Sequence, residues 1–149
     1  MLTQVLNSIF ERDLNKLKLE IEQYKDEHKI WIVDKQISNS AGNLCLHLVG
    51  NLNTYIGKEL GGTNYIRNRE LEFSQKDISK AELMHKVEST IIVVSNSMVK
   101  LNQDDLAKNY PVMVFDKEMS TEYFLIHLSA HLAYHLGQIN YHRRLLDID

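Results

Sequence analysis

The chain has 149 residues, 44% of them hydrophobic and 25% charged, the size and makeup of one globular domain, 1–149, able to bury a substantial core. Its formal net charge is -3 and no stretch is strongly basic, so the electrostatic footprint of a nucleic-acid binder is missing. The longest purely apolar run, 91–94, falls far short of the roughly 18 to 20 residues that a membrane span needs.

The amino-terminal stretch MLTQVLNSIFERDLNKL is interrupted by Glu11, Arg12 and Asp13 before a signal-type apolar region develops, and it reads as mature structure in the cytoplasm. The lone Cys45, which builds no intramolecular disulfide framework, fits that compartment. Leu2, Val5, Leu6, Ile9, Phe10, Leu14, Leu17, Ile21 and Tyr24 recur mostly at three and four residues and predict a first helix over roughly 2–26. A second helix is expected from about Ser40 to Leu60, with Ser40 as cap, Gly61 and Gly62 as stop, and an inward stripe that includes His47 and Asn51. The third is the clearest: Leu83, Val87, Ile91, Val94, Met98 and Leu101 follow a Ser79-x-x-Glu82 capping pattern. Within it, TIIVV would suit a strand, but the helical period on both sides outvotes that local preference. The fourth helix should run from about Ser120 to Leu146. Between helices lie two irregular segments, 61–78 and 102–119, the latter with YPVMVF as a candidate extended piece. Four long amphipathic helices pack most economically as an all-α four-helix bundle.

The fourth helix carries HLSAHLAYHLGQ, residues 127–138, with His127, His131 and His135 on one helical face. Two imidazoles one turn apart can reach one cation at about 2.0 to 2.1 Å, but a row of three on a straight helix cannot, so one has another role. The further ligand must come from another helix, and His47 on the inward stripe of helix two is the best candidate. Three imidazoles would leave a coordination position open, as in a catalytic centre. A plainer reading stands beside this: half-buried histidines often only hydrogen-bond to neighbours, and H-x-x-x-H lacks the glutamate of the zinc-protease pattern. His28, His85 and His142 are read as exposed or rim residues. A di-iron bundle is rejected, because Glu82-x-x-His85 alone matches its Glu-x-x-His motif and faces away from the apolar stripe. Cys45 points away from His47 and is read as packing, and no phosphate loop, dinucleotide fingerprint or nucleophile elbow is present.

NSAGNLCLHLVGNL, RNRELEF and HLSAHLAYHLGQINYHRRLL together resemble the DinB-like, or YfiT-like, superfamily of metalloenzymes, most closely one of its uncharacterised branches. The resemblance covers most of the chain, and its specific part is one histidine in helix two paired with H-x-x-x-H-x-Gly-Gln in the last helix. It implies a four-helix bundle, a divalent metal held by His47, His131 and His135, and a homodimer. Characterised relatives include S-transferases and isomerases that use low-molecular-weight thiols such as bacillithiol, mycothiol or glutathione. A thiol and an electrophile are therefore the expected small-molecule partners. Gly137 and Gln138 after the pair mark His131 and His135 as its ligands and leave His127 to pack or to support them.

Asn51, one turn after His47, is placed either to orient a ligand or to satisfy a backbone group. Gly137 either allows another backbone to approach or is a tolerated small residue. Arg67, Arg69 and Glu70 either frame a pocket mouth that binds a substrate carboxylate or form a solvated loop. No second acid or base is evident beside the metal. The expected chemistry is a lowered pKa of bound water or thiol, with zinc or nickel the leading ions and iron and manganese the next. A non-catalytic metal-binding bundle and a helical interaction module are the competing functions.

Overall fold

A computed structural model describes all 149 residues, and every regular element in it is a helix. The first, α1, spans Leu2–Glu22 and buries Leu6, Phe10, Leu14, Leu17 and Ile21 at the predicted spacing. It stops four residues short of the expected end, because Asp26 caps a separate 3-10 turn over Glu27–Trp31 by accepting the His28 amide. The next helix, α2, spans Ala41–Leu52, with the Ser40 side chain accepting the Asn43 amide at 3.1 Å as the cap pattern predicts. Every residue of α2 except Val49 is buried, so this is the central helix rather than one with a single apolar stripe.

The expected continuation to Leu60 is helical but not α. Asn53–Lys58 is a π turn, with the amides of Glu59 and Gly61 bonded five residues back to Thr54 and Ile56 at 3.1 and 2.9 Å. Gly62, at φ +74°, then ends the helix in a conformation that side chains other than glycine's rarely adopt.

The segment expected to be irregular over 61–78 contains a short helix, α3, Arg69–Ser74, capped by Asn68. α4 spans Lys80–Met98 under a Ser79 cap; its β-branched centre is helical as predicted, and it stops three residues before Leu101. Another short helix, α5, Gln103–Ala107, occupies the second segment, and YPVMVF forms no strand. Only an isolated bridge between Asn109 and Ser120 is present there, which fastens the loop to the start of α6, Thr121–Leu146.

α1 packs mainly on α4 and α6, and α2 sits against α6, α4 and α3 around one cluster of 28 buried hydrophobic residues. Burial of side chains such as Phe10 and Leu14, both 0% exposed, contributes roughly 1.5–3 kcal/mol each. α2 and α6 run antiparallel: His47 faces His131 and His135, while Tyr55, about two turns further on in the π turn that continues α2, meets Phe124, further back along α6. No helix is long and apolar enough to cross a membrane.

Cys45 is wholly buried, and burial pushes its thiol up to about 12, so it is an inert packing residue. His28 and His85 are exposed, as expected. His142 is not: it is 4% exposed, with Nδ1 2.7 Å from the Tyr24 hydroxyl and Nε2 2.8 Å from the Ile32 carbonyl. The rim reading failed because both partners come from chain more than a hundred residues away.

Candidate metal centre

His47 lies mid-way along α2, where the surrounding helices bury it, and its ring packs at 5.0 Å on Phe73 of α3. α3 is held against α2 by Asn43, whose Nδ2 donates to the carbonyls of Glu72 and Gln75 at 2.9 and 2.8 Å. This docking brings the Glu72 carboxylate to His47: Oε1 is 3.0 Å from Nδ1. Arg67 completes the pair from the other side, with Nε and Nη2 donating to the two Glu72 oxygens at 2.8 and 2.9 Å. Burial opposes ionisation of Glu72, but the hydrogen bonds from His47 and Arg67 outweigh it and hold the carboxyl below its ordinary range. Gly50 makes room for this contact, because a Cβ there would lie 1.9 Å from Glu72 Oε2.

An ionised carboxylate can only accept, so the His47 proton sits on Nδ1 and Nε2 presents a lone pair. The same logic fixes His135, whose Nδ1 is 2.7 Å from Gln138 Oε1, three residues on along α6. His131 Nε2 lies between these two lone pairs, 3.2 Å from each. Its own Nδ1 is buried and has no hydrogen-bond partner. Burial first, and then the neighbouring imidazoles, hold His131 down at about 4, and burial also lowers His135. Both rings are therefore neutral ligands at neutral pH.

The donor set fits a cation. The three nitrogens lie within 4.8 Å of one another, and four-coordinate bonds of about 2.0–2.1 Å separate neighbouring donors by about 3.3 Å. A single proton on His131 Nε2 could make at most one straight hydrogen bond to the two lone pairs it faces, whereas a cation would take a lone pair from each of the three Nε2 atoms together. His47, His131 and His135 could thus hold a metal ion.

His47 and His131 also line a cleft of about 270 Å³, with Asn51, Arg69 and His127 among its other walls. Asn51 is 6% exposed, and its Oδ1 is buried without a partner. Of the two readings of this residue, backbone satisfaction therefore does not describe it. His127 is not among the three convergent rings; it stacks on Phe124 at 5.9 Å and meets Phe115 edge-on at 4.9 Å, as part of the wall. Arg67 is committed to Glu72 rather than free for a substrate carboxylate, whereas Arg69 is exposed at the cleft. Glu70 is exposed and forms no part of the site; the acid beside it in space is Glu72. An acid not singled out from the sequence therefore stands beside the three histidines, tied to His47 and Arg67. Gly137 has open space where a Cβ would stand, so no backbone approaches it, and the tolerated-residue reading holds.

The family profile described as "Protein of unknown function (DUF1572)" matches residues 3–149. The chain belongs to the DUF1572 family. No curated protein matches it. Within this DUF1572 chain the matched span takes in all the site residues, from His47 through Glu72 to Gln138.

Proposed function

We propose that this DUF1572 chain is a divalent-metal-dependent enzyme of the DinB-like, YfiT-like superfamily, a four-helix bundle with α1, α2, α4 and α6 as its long helices. Its closest activity is that of a low-molecular-weight thiol S-transferase. The observation that carries the reading is the convergence of three imidazole nitrogens with His131 Nε2 3.2 Å from both others. Structural zinc sites close with four protein ligands, whereas three leave a position for a substrate. The cleft beside His47 and His131 and the unpartnered Asn51 amide favour that open arrangement over a metal kept only for stability.

A divalent cation at the three histidines would supply Lewis acidity, making a thiol or water easier to deprotonate near neutral pH. Zinc or nickel suits neutral imidazole donors best. The protein's own contribution is positional. Glu72, clamped by Arg67, fixes the tautomer and orientation of His47, and Gln138 does the same for His135. Asn51 offers its amide to a polar group on the substrate, and the Phe115 and Phe124 side of the cleft keeps bulk water from the reacting end. Glu72 is sequestered by two partners, so it serves orientation rather than proton transfer. A cytoplasmic location and a homodimeric state belong to the same proposal.

Metal analysis of protein purified without a histidine tag is the deciding experiment. About one ion per chain, with cobalt substitution giving a spectrum that responds to added thiol, is the expected result. No bound ion and no uptake on adding zinc, nickel, iron or manganese would defeat the proposal. A thiol-responsive ion without turnover of monochlorobimane across a panel of small thiols would leave a binding or sensing bundle.

A further inference from the structure

The cleft beside the histidines has a charge pattern that says what enters it. No aspartate or glutamate lines it, while two arginines do. Arg67 is neutralised by its two-pronged pairing with Glu72, but Arg69 makes no ion pair with any residue. One uncompensated guanidinium therefore stands at the rim. Val114, Phe115, Phe124 and Leu128 give the cleft an apolar lining, and Phe124 is only 1% exposed. The polar lining of the cleft besides the arginines includes His47 and Asn51, both buried, and His131, with the Asn51 Oδ1 unpartnered. At about 270 Å³ the cleft lies at or just below the small end of ligand sites, which run from roughly 300 to 1,000 Å³.

We infer that the substrate of this cleft is a small organic acid with an apolar body, seated with its carboxylate on Arg69 at the rim and its reactive, polar end beside Asn51 and the histidines. A planar carboxylate matches a free guanidinium by two parallel hydrogen bonds. The aromatic wall buries an aryl or branched-alkyl middle and gains about 25 cal/mol for each Å² of apolar surface covered. The Asn51 Oδ1 offers an acceptor that no donor in the protein uses. The acid group is thereby kept away from the reacting atoms and acts as a handle rather than as a participant.

The inference rests on the reading of this cleft as the approach to a metal-dependent site, and the test separates the two. Phenylacetate and 4-methylvalerate, each beside its primary amide, are titrated into metal-free and zinc-loaded protein with binding followed by ligand-observed NMR. Zinc uptake is measured on the same samples. Both acids should bind at least tenfold more tightly than their amides, in metal-free protein as well. Arg69→Gln should abolish that preference without changing zinc uptake; Arg69 is exposed and makes no ion pair, so the variant should fold. Equal binding of acid and amide, a preference that survives Arg69→Gln, or one that appears only with zinc would overturn the inference and leave the metal reading standing. A preference in metal-free protein that takes up no zinc would uphold the inference and sink the metal reading.

Discussion

His131 and His142 stand on nearly the same face of α6, about three turns apart, the first half-buried and the second buried, and their surroundings are opposite. His142 has both nitrogens engaged by the protein, one by the Tyr24 hydroxyl and one by the Ile32 carbonyl. His131 has one nitrogen with no partner and the other aimed at two lone pairs. Burial alone does not separate the two; what does is whether the ring nitrogens meet donors and acceptors of other groups, as in His142, or converge on one another, as in the three rings that could hold a metal ion. The same test sorts His47 and His135, each with Nδ1 satisfied and Nε2 directed at His131.

The largest effects expected are those that split this pair. His131→Ala should abolish stoichiometric metal uptake while shifting the metal-free unfolding free energy by less than about 1 kcal/mol, because it gives up at most one ring-to-ring hydrogen bond and also removes a buried nitrogen that has no partner. His142→Ala should do the reverse. It leaves the buried Tyr24 hydroxyl without a partner at about 1–3 kcal/mol and the part-buried Ile32 carbonyl at about 1 kcal/mol, so urea unfolding should report a loss of about 2–4 kcal/mol with metal stoichiometry unchanged. A folded His142→Ala variant that no longer takes up metal would erase the distinction.

A smaller effect should follow from loosening His47 without removing it. Glu72→Gln keeps the shape but weakens the acceptor that fixes the His47 tautomer, and outer partners of this kind are worth about 10–100-fold in metal affinity. Gly50→Ala should lower affinity in the same direction, because its Cβ would stand 1.9 Å from Glu72 Oε2 and the carboxylate would have to move. Competition with a chromophoric chelator measures both. Unchanged affinity in the two variants would mean that the His47 orientation comes from packing on Phe73 instead.

What could be read from the sequence followed the range of the interaction. The caps at Ser40 and Ser79 and the stripes of α1 and α4 are local signals, and the structure carries them close to where the spacing predicts. His131 and His135 are one turn apart, so their pairing was visible without knowing the fold. His47 was accessible as a polar residue on an inward stripe and through the helix-two histidine of the resemblance. Glu72 was hidden for a physical reason: α3 has six residues, too few for a period to show which of Glu70 and Glu72 turns inward. What decides it is the docking of Asn43 on the α3 backbone and the absence of a side chain at Gly50, both on another helix. The π turn at Asn53–Lys58 left no mark, because an apolar stripe read at helical spacing tolerates one slipped hydrogen bond.

The smallest effect concerns pH and tests His142 directly. Burial lowers its pKa from the ordinary 6.5, against a smaller raising effect of the Ile32 carbonyl. A histidine kept neutral in the fold binds its proton more readily when the chain is unfolded. Stability is therefore full above about pH 6.5 and falls as the pH drops below it, until the folded group also protonates. Protonation puts a hydrogen on Nδ1, which can then no longer accept from Tyr24. One such group contributes a slope of at most about 1.4 kcal/mol per pH unit. His131 and His135 bend the curve in the same direction, so the contribution of His142 is the difference between the wild type and His142→Gln, measured metal-free over pH 7 to 5. Parallel curves would mean that His142 gains as much from its partners when charged as when neutral, and the contrast with His131 would then rest on metal uptake alone.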